Sequence, residues 1–292
     1  MLAETKFLTD GRSLNYMVAP QQGPPLMMLH GVTRRWQTFL PQLPSLTQRW
    51  HVHALDFRGH GKSDRAAERY LVADYVRDAV GLLQSQICEP AVIYGHSLGS
   101  MVAAAVAAQL PHLVRAVVME DPPFETMGTR IKQTVLHSLF AGMQPFSGTD
   151  RPVKDVTRDL AEIPLWDPVA ERRIRLGDVR DPASLRFTAA SLAQLDPQVL
   201  SPIVAGNWLN GFDCEAILAA VRCPVLLLQA DVAAGGMLVD SEADRAERLL
   251  ADCTRVRIPN VGHLIHWLDT DTTLRLVLSF LESLDSPGGT PL

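Results

Sequence analysis

Two spacings of apolar residues alternate along most of the chain. Short unbroken runs, Leu26-Met27-Met28-Leu29, His51 to Leu55, Ala91 to Tyr94 and Ala116 to Met119, fit strands buried on both faces. Between them apolar residues return at helical spacing, as in 74–86, where Tyr75, Val76, Ala79, Val80, Leu82 and Leu83 share a face. Residues 101–109 continue this as a run of small apolar residues. Further on the same alternation predicts a strand over 224–229, a helix over 241–251, a strand over 255–258 and a final amphipathic helix over 272–284. Two more short strands, 4–8 and 14–18, flank an Asp10-Gly11 turn signal. Strands that alternate with helices predict an α/β protein with a mostly parallel eight-stranded sheet covered by helices on both faces.

The pattern breaks over residues 124–210. Prolines at 145, 152, 164, 168, 182, 197 and 202 divide it into short helical pieces with no alternating strand signal. A helical cap inserted at 124–210 is expected, with residues 1–123 and 211–292 forming the core domain. The tail from Asp285, rich in Ser, Pro and Gly, is expected to be mobile.

Charge adds exclusions. The net charge of −5 is spread without long single-sign blocks, which disfavours nucleic acid and anionic membranes as partners. A homo-oligomer is compatible with it. The cationic residues Arg172, Arg173 and Arg175 read as a solvated face of the cap. The N-terminus has no basic region followed by an apolar stretch, and no apolar helical run reaches the ~20 residues a membrane span needs. A cytoplasmic protein is expected. Cys88, Cys214, Cys223 and Cys253 have neither C-x-x-C spacing nor a ligand rhythm, so no metal is implied, and no glycine-rich phosphate loop suggests an organic cofactor.

The chemistry concentrates in Gly95-His96-Ser97-Leu98-Gly99. A buried strand stops, a Gly-x-Ser-x-Gly turn follows, and a small-residue helix begins at once. That is the sequence form of a nucleophile elbow, which lifts a serine hydroxyl over the end of a sheet. The amide of Leu98, in the first helical turn, then faces the place where an acyl oxygen becomes an anion.

This pentapeptide, with His30-Gly31, Asp56-Phe57-Arg58-Gly59-His60-Gly61-Lys62-Ser63 and Gly262-His263, resembles the ordered landmarks of the α/β-hydrolase superfamily. The resemblance covers nearly the whole chain outside the cap. A serine at the elbow separates it from the haloalkane dehalogenases and epoxide hydrolases of that superfamily, which use aspartate there. The resemblance implies Ser97 as nucleophile, His263 as base with His266 as fallback, and the backbone N–H groups of Val32 and Leu98 as the oxyanion hole.

The third triad member is open. Most relatives place an aspartate three residues beyond a glycine after the penultimate strand, where this chain has Ala233. Asp231 lies close by. Some relatives, including fungal zearalenone lactonases, instead carry a glutamate after the strand that follows the elbow, and Glu120 stands there. Glu120 is therefore the expected acid, followed by Asp231 and then Asp121, whose Asp121-Pro122 resembles a common noncatalytic feature of this strand end. The expected activity is hydrolysis of a hydrophobic ester or lactone through an acyl-enzyme. Phe124, Met127, Phe140, Met143, Phe146, Trp166, Trp208 and Met237 are the candidate walls of its pocket. The alternatives are hydrolysis of a carbon–carbon bond in a ring-fission diketone, and a ligand receptor on a hydrolase scaffold.

Overall fold

The computed structural model describes residues 1–167 and 171–284, so the tail expected to be mobile lies outside the described residues. The first strands are β1 (Ala3–Thr9), β2 (Arg12–Val18), β3 (Pro25–Leu29), β4 (His51–Leu55), β5 (Ala91–His96) and β6 (Val114–Glu120). Helices α1 (Leu43–Leu46), α2 (Val72–Leu82) and α3 (Leu98–Gln109) join them. Every residue of β3 and β5 is buried, which is why both read as unbroken apolar runs.

Between β6 and the next sheet strand the chain forms α4 (Val135–Met143), α5 (Val153–Ala161), β7 (Pro164–Asp167), β8 (Arg172–Arg175), α6 (Leu176–Val179), α7 (Pro182–Leu192) and α8 (Ser201–Ala205). After α9 (Cys214–Ala220) come β9 (Val225–Ala230), α10 (Asp240–Leu249), β10 (Cys253–Ile258), α11 (Ile265–Leu268) and α12 (Thr270–Ser283). The main sheet has eight strands in the order β1-β2-β4-β3-β5-β6-β9-β10, antiparallel at β1/β2 and β2/β4 and parallel throughout the rest.

Successive strand residues face opposite layers. Along β5, Ala91 and Ile93 join the cluster that holds α2 and α3, whereas Val92 and Tyr94 join the one under α12. Helix α3 is buried at every residue from Leu98 to Ala107, and its alanines let it lie close against the sheet. None of the helices described is long and apolar enough to cross a membrane.

One element departs from the sequence reading. The segment expected to be all helical contains an antiparallel hairpin, β7 with β8, in which Leu165 opposes Ile174. These two are half-buried, while Pro164, Trp166 and the arginines of β8 are largely exposed. Exposed Pro164 and Trp166 flank half-buried Leu165, so polarity does not alternate along β7 even though burial does.

Candidate active site

Ser97 lies between β5 and α3 with φ 56° and ψ −116°. A non-glycine residue in such a region stores on the order of 1–3 kcal/mol, so its surroundings must hold it there. Two close approaches do so. A Cβ on Gly95 would fall 2.2 Å from the Gly99 backbone, and one on Gly99 would fall 1.9 Å from the carbonyl oxygen of Leu29. The turn is also tied to β6, since Ser97 N–H donates to Glu120 O at 2.9 Å and Ser100 Oγ reaches the same oxygen at 3.1 Å.

The loop after β3 faces Ser97. The ring of His30 is buried, accepts from Phe57 N–H at Nε2 (3.2 Å), and therefore donates from Nδ1 to Gly31 O (2.8 Å). Burial first, then His60, pushes its pKa well below the usual value and keeps the ring neutral. Arg34 N–H also donates to Gly31 O, at 3.1 Å. In a planar trans peptide the N–H points opposite to the carbonyl, so fixing Gly31 O also fixes the direction of Val32 N–H. The N–H groups of Val32 and Leu98 have no backbone acceptor among the described residues.

His263 follows β10, and its Nδ1 donates to Asp121 Oδ2 at 2.6 Å, with both side chains nearly free of solvent. Asp121 sits just past β6 at φ 46°. Its two oxygens also accept Met237 N–H (2.8 Å), Ala230 N–H (3.1 Å) and Leu238 N–H (3.2 Å). Four donors converging on one carboxylate fix its position and orientation.

This corrects the expected acid. Glu120 does not engage His263: its Oε1 accepts His266 Nδ1 (2.7 Å) and His266 N–H (3.0 Å), and its Oε2 accepts Tyr94 O–H (2.6 Å). His266 Nε2 meets Thr38 Oγ1 at 2.8 Å, closing a buried network that runs from Gln42 through Tyr94 to Thr38. Asp231 is not a partner of His263 either. Its carboxylate accepts Ala233 N–H and Asn260 N–H, both at 2.9 Å, and staples two loops together.

Between the two histidine–carboxylate pairs stands His96, its ring centre 4.6 Å from that of His263 and 4.8 Å from that of His266. His96 Nε2 donates to His263 O at 3.0 Å. Ligand atoms of His96, Glu120 and His266 lie within 4.8 Å of one another, a spacing a metal ion could span. The Glu120 and His266 atoms are already joined to each other, to Tyr94 and to Thr38, so a cation would have to break that network.

Ser97, His96, His263 and Val32 line one cavity, of about 570 Å³ counted out to its open mouth. Its other walls include Leu139, Phe140, Met143, Leu185 and Met237, with Arg34 and Arg180 among them. Phe140, Met143 and Met237 were expected there. Trp208 and Met127 are instead packed in the core, Trp166 is half exposed at 50%, and neither Phe124 nor Phe146 reaches this cavity. The two arginines break the apolar character expected of the pocket, and no periodicity in the sequence marked them. Arg58, within the second landmark, spans to α2, where its buried guanidinium meets Asp78 at 2.6 Å.

Comparison with known proteins places this geometry. A family model described as the alpha/beta hydrolase fold matches residues 24–270. The chain is 28% identical over 267 residues to the 2-(acetamidomethylene)succinate hydrolase of Mesorhizobium japonicum, covering 89% of each sequence. It is 27% identical over 277 residues to the magnesium-chelatase 30 kDa subunit of Rhodobacter capsulatus, covering 90% of this chain and 88% of that one. Among solved structures, an E-2-(acetamidomethylene)succinate hydrolase superposes with a TM-score of 0.76 at 22% identity, over 97% of this chain and 100% of that one. With the elbow, the parallel sheet and the family match in agreement, the chain belongs to the alpha/beta hydrolase fold family.

Proposed function

We propose that the protein is a serine hydrolase that cleaves a carboxylic ester, lactone or related acyl bond through an acyl-enzyme. The observation that carries this is a strained Ser97 sharing one cavity with His263, whose Nδ1 is held 2.6 Å from Asp121. With Nδ1–H engaged, Nε2 is the nitrogen free to take the Ser97 proton as Oγ attacks the acyl carbon. The imidazolium so formed is balanced by the Asp121 carboxylate. The N–H groups of Val32 and Leu98 stabilise the oxyanion. Collapse of the tetrahedral intermediate breaks the acyl bond, and His263 returns the proton to the leaving group. Water then repeats the sequence on the acyl-enzyme and releases Ser97.

Residues 124–210 act in this reading as a cap over the core formed by 1–123 and 211–292, since α4, α6 and α7 supply one side of the cavity. The Mesorhizobium japonicum relative is named for an acetamido-substituted succinate, so amides belong in the substrate screen beside esters and lactones. The relative named as a magnesium-chelatase subunit supports a second reading, a binding protein on the same scaffold.

Fluorophosphonate labelling separates the two. The hydrolase reading expects stoichiometric labelling of Ser97 and ester turnover that falls roughly 10⁴-fold or more in Ser97→Ala. Absence of both labelling and turnover overturns it in favour of the binding protein.

A further inference from the structure

Two guanidinium groups line the cavity, one from the core and one from the 124–210 segment, without an acid to meet them. Arg34 comes from the loop after β3, two residues beyond Val32, and Arg180 comes from the residue before the cap of α7. Arg34 Nη1 donates to Thr188 Oγ1 at 2.8 Å, and its guanidinium carbon lies 5.8 Å from the centre of the Phe187 ring. That leaves most of its five donors available. No carboxylate reaches ion-pair distance of Arg34 or Arg180 among the described residues. Asp181, next to Arg180, attracts it, but its Oδ1 accepts Ser184 N–H and caps α7.

Partly buried cations without counter-charges are unfavourable, and here they also repel each other. Burial first, and then Arg180, push the Arg34 guanidinium down to about 9. Burial likewise lowers that of Arg180, against the pull of Asp181. Asp121, the acid behind the cavity, is already saturated by its four donors. The compensating anion must therefore come with the ligand.

We propose that Arg34 and Arg180 form a clamp for a free carboxylate carried by the substrate, which makes the preferred substrate a short acyl ester or amide bearing one anionic end. The clamp rests on the hydrolase reading above for its scissile bond. A planar carboxylate matches the guanidinium fork and can bridge both arginines. Leu139, Phe140, Met143 and Leu185 then line the path between the anionic end and the acyl carbon facing Ser97. Because Arg34 belongs to the core and Arg180 to the 124–210 segment, the same anion joins the two across the cavity.

The test compares monoethyl glutarate with diethyl glutarate, followed by acid release, and adds calorimetric titration of the Ser97→Ala protein with glutarate and with inorganic phosphate. Charge-assisted contacts predict a roughly ten- to hundredfold higher kcat/KM for the monoester, expressed mainly in KM. That ratio should fall at least tenfold in Arg180→Gln and Arg34→Gln, with partial recovery in Arg180→Lys. Glutarate binding should weaken in parallel. Thermal melts of each variant identify any that fail to fold, in which case Arg180→Lys and the titrations still decide.

Equal turnover of both esters, with glutarate binding unaltered in the arginine variants, overturns the clamp and leaves the hydrolase reading standing. If neither ester is turned over and Ser97 is not labelled, the hydrolase reading fails, and the glutarate titrations alone decide the clamp. Phosphate binding tighter than glutarate overturns the assignment to a carboxylate.

Discussion

Replacing each of two adjacent acids by its amide distinguishes their roles. In Asp121→Asn one oxygen and one NH₂ must replace two oxygens that accept four N–H donors. If the remaining oxygen faces Ala230 and Leu238, the NH₂ faces His263 Nδ1. The ring must then carry its proton on Nε2, where it cannot accept one from Ser97. Removal of the carboxylate in serine-protease triads lowers turnover about 10⁴-fold by this route, and a similar loss is expected here. If the oxygen faces His263 instead, two buried N–H groups lose their acceptor at about 1–3 kcal/mol each. Glu120→Gln behaves differently. Its oxygen can keep both His266 donors, and the NH₂ meets only Tyr94 Oη, which must then give up donating. The expected loss is one charge-assisted bond, about 1.5–3 kcal/mol of stability, with turnover per folded site within about tenfold of the parent. Active sites are counted by fluorophosphonate titration, kcat is expressed per labelled serine, and melting temperatures are read in parallel. A larger kcat loss in Glu120→Gln than in Asp121→Asn would refute the assignment of Asp121 as the acid behind His263.

Three further outcomes follow from geometry and charge. His30→Ala frees the Gly31–Val32 peptide, so kcat should fall about tenfold or more with KM little changed; an unaltered kcat would show that Arg34 N–H orients the peptide alone. Gly99→Ala puts a methyl 1.9 Å from Leu29 O and should prevent soluble folding, whereas a folded protein melting within a few degrees of the parent would contradict the packing at the elbow. His60, through burial, and His53, through burial and then His51, are both held down to about 4. The folded rings stay neutral while the unfolded ones protonate near 6.5, so their contribution is complete above that pH and lost as pH falls towards 4. It amounts to about 3 kcal/mol per ring at about 1.36 kcal/mol per unit. Urea midpoints should therefore drop from pH 7.5 to pH 5, and a constant or rising midpoint would refute it.

What could be read in the sequence depended on the range of the signal. The central strands of the main sheet were legible because burial on both faces imprints an unbroken apolar run, as in β3, β5 and β9. The elbow was legible because its glycines are local too: the approach of Leu29 O to Gly99 permits no other side chain. The carboxylate that meets His263 was not, and the reason is geometric. Glu120 and Asp121 are neighbours, yet successive residues at a strand end point to opposite layers, and the positive φ of Asp121 turns its carboxylate further. His263 and His266 are likewise only three residues apart, one ahead of α11 and the other within it. Two acids face two histidines, and the sequence permits either pairing. The choice lies in which layer each side chain enters. Glu120 goes to Tyr94 and the layer under α12, while Asp121 goes to the loop after β9, where Ala230, Met237 and Leu238 offer three N–H groups. Those donors are backbone atoms and leave no trace in residue identity. Arg34 and Arg180 escaped for the related reason that a cation is conspicuous only once the lack of a partner is visible, and pairing is a property of the folded chain. The Gly-x-Ser-x-Gly turn is therefore legible locally, while the carboxylate that meets His263 and the unpaired arginines of the cavity are set by contacts between distant segments.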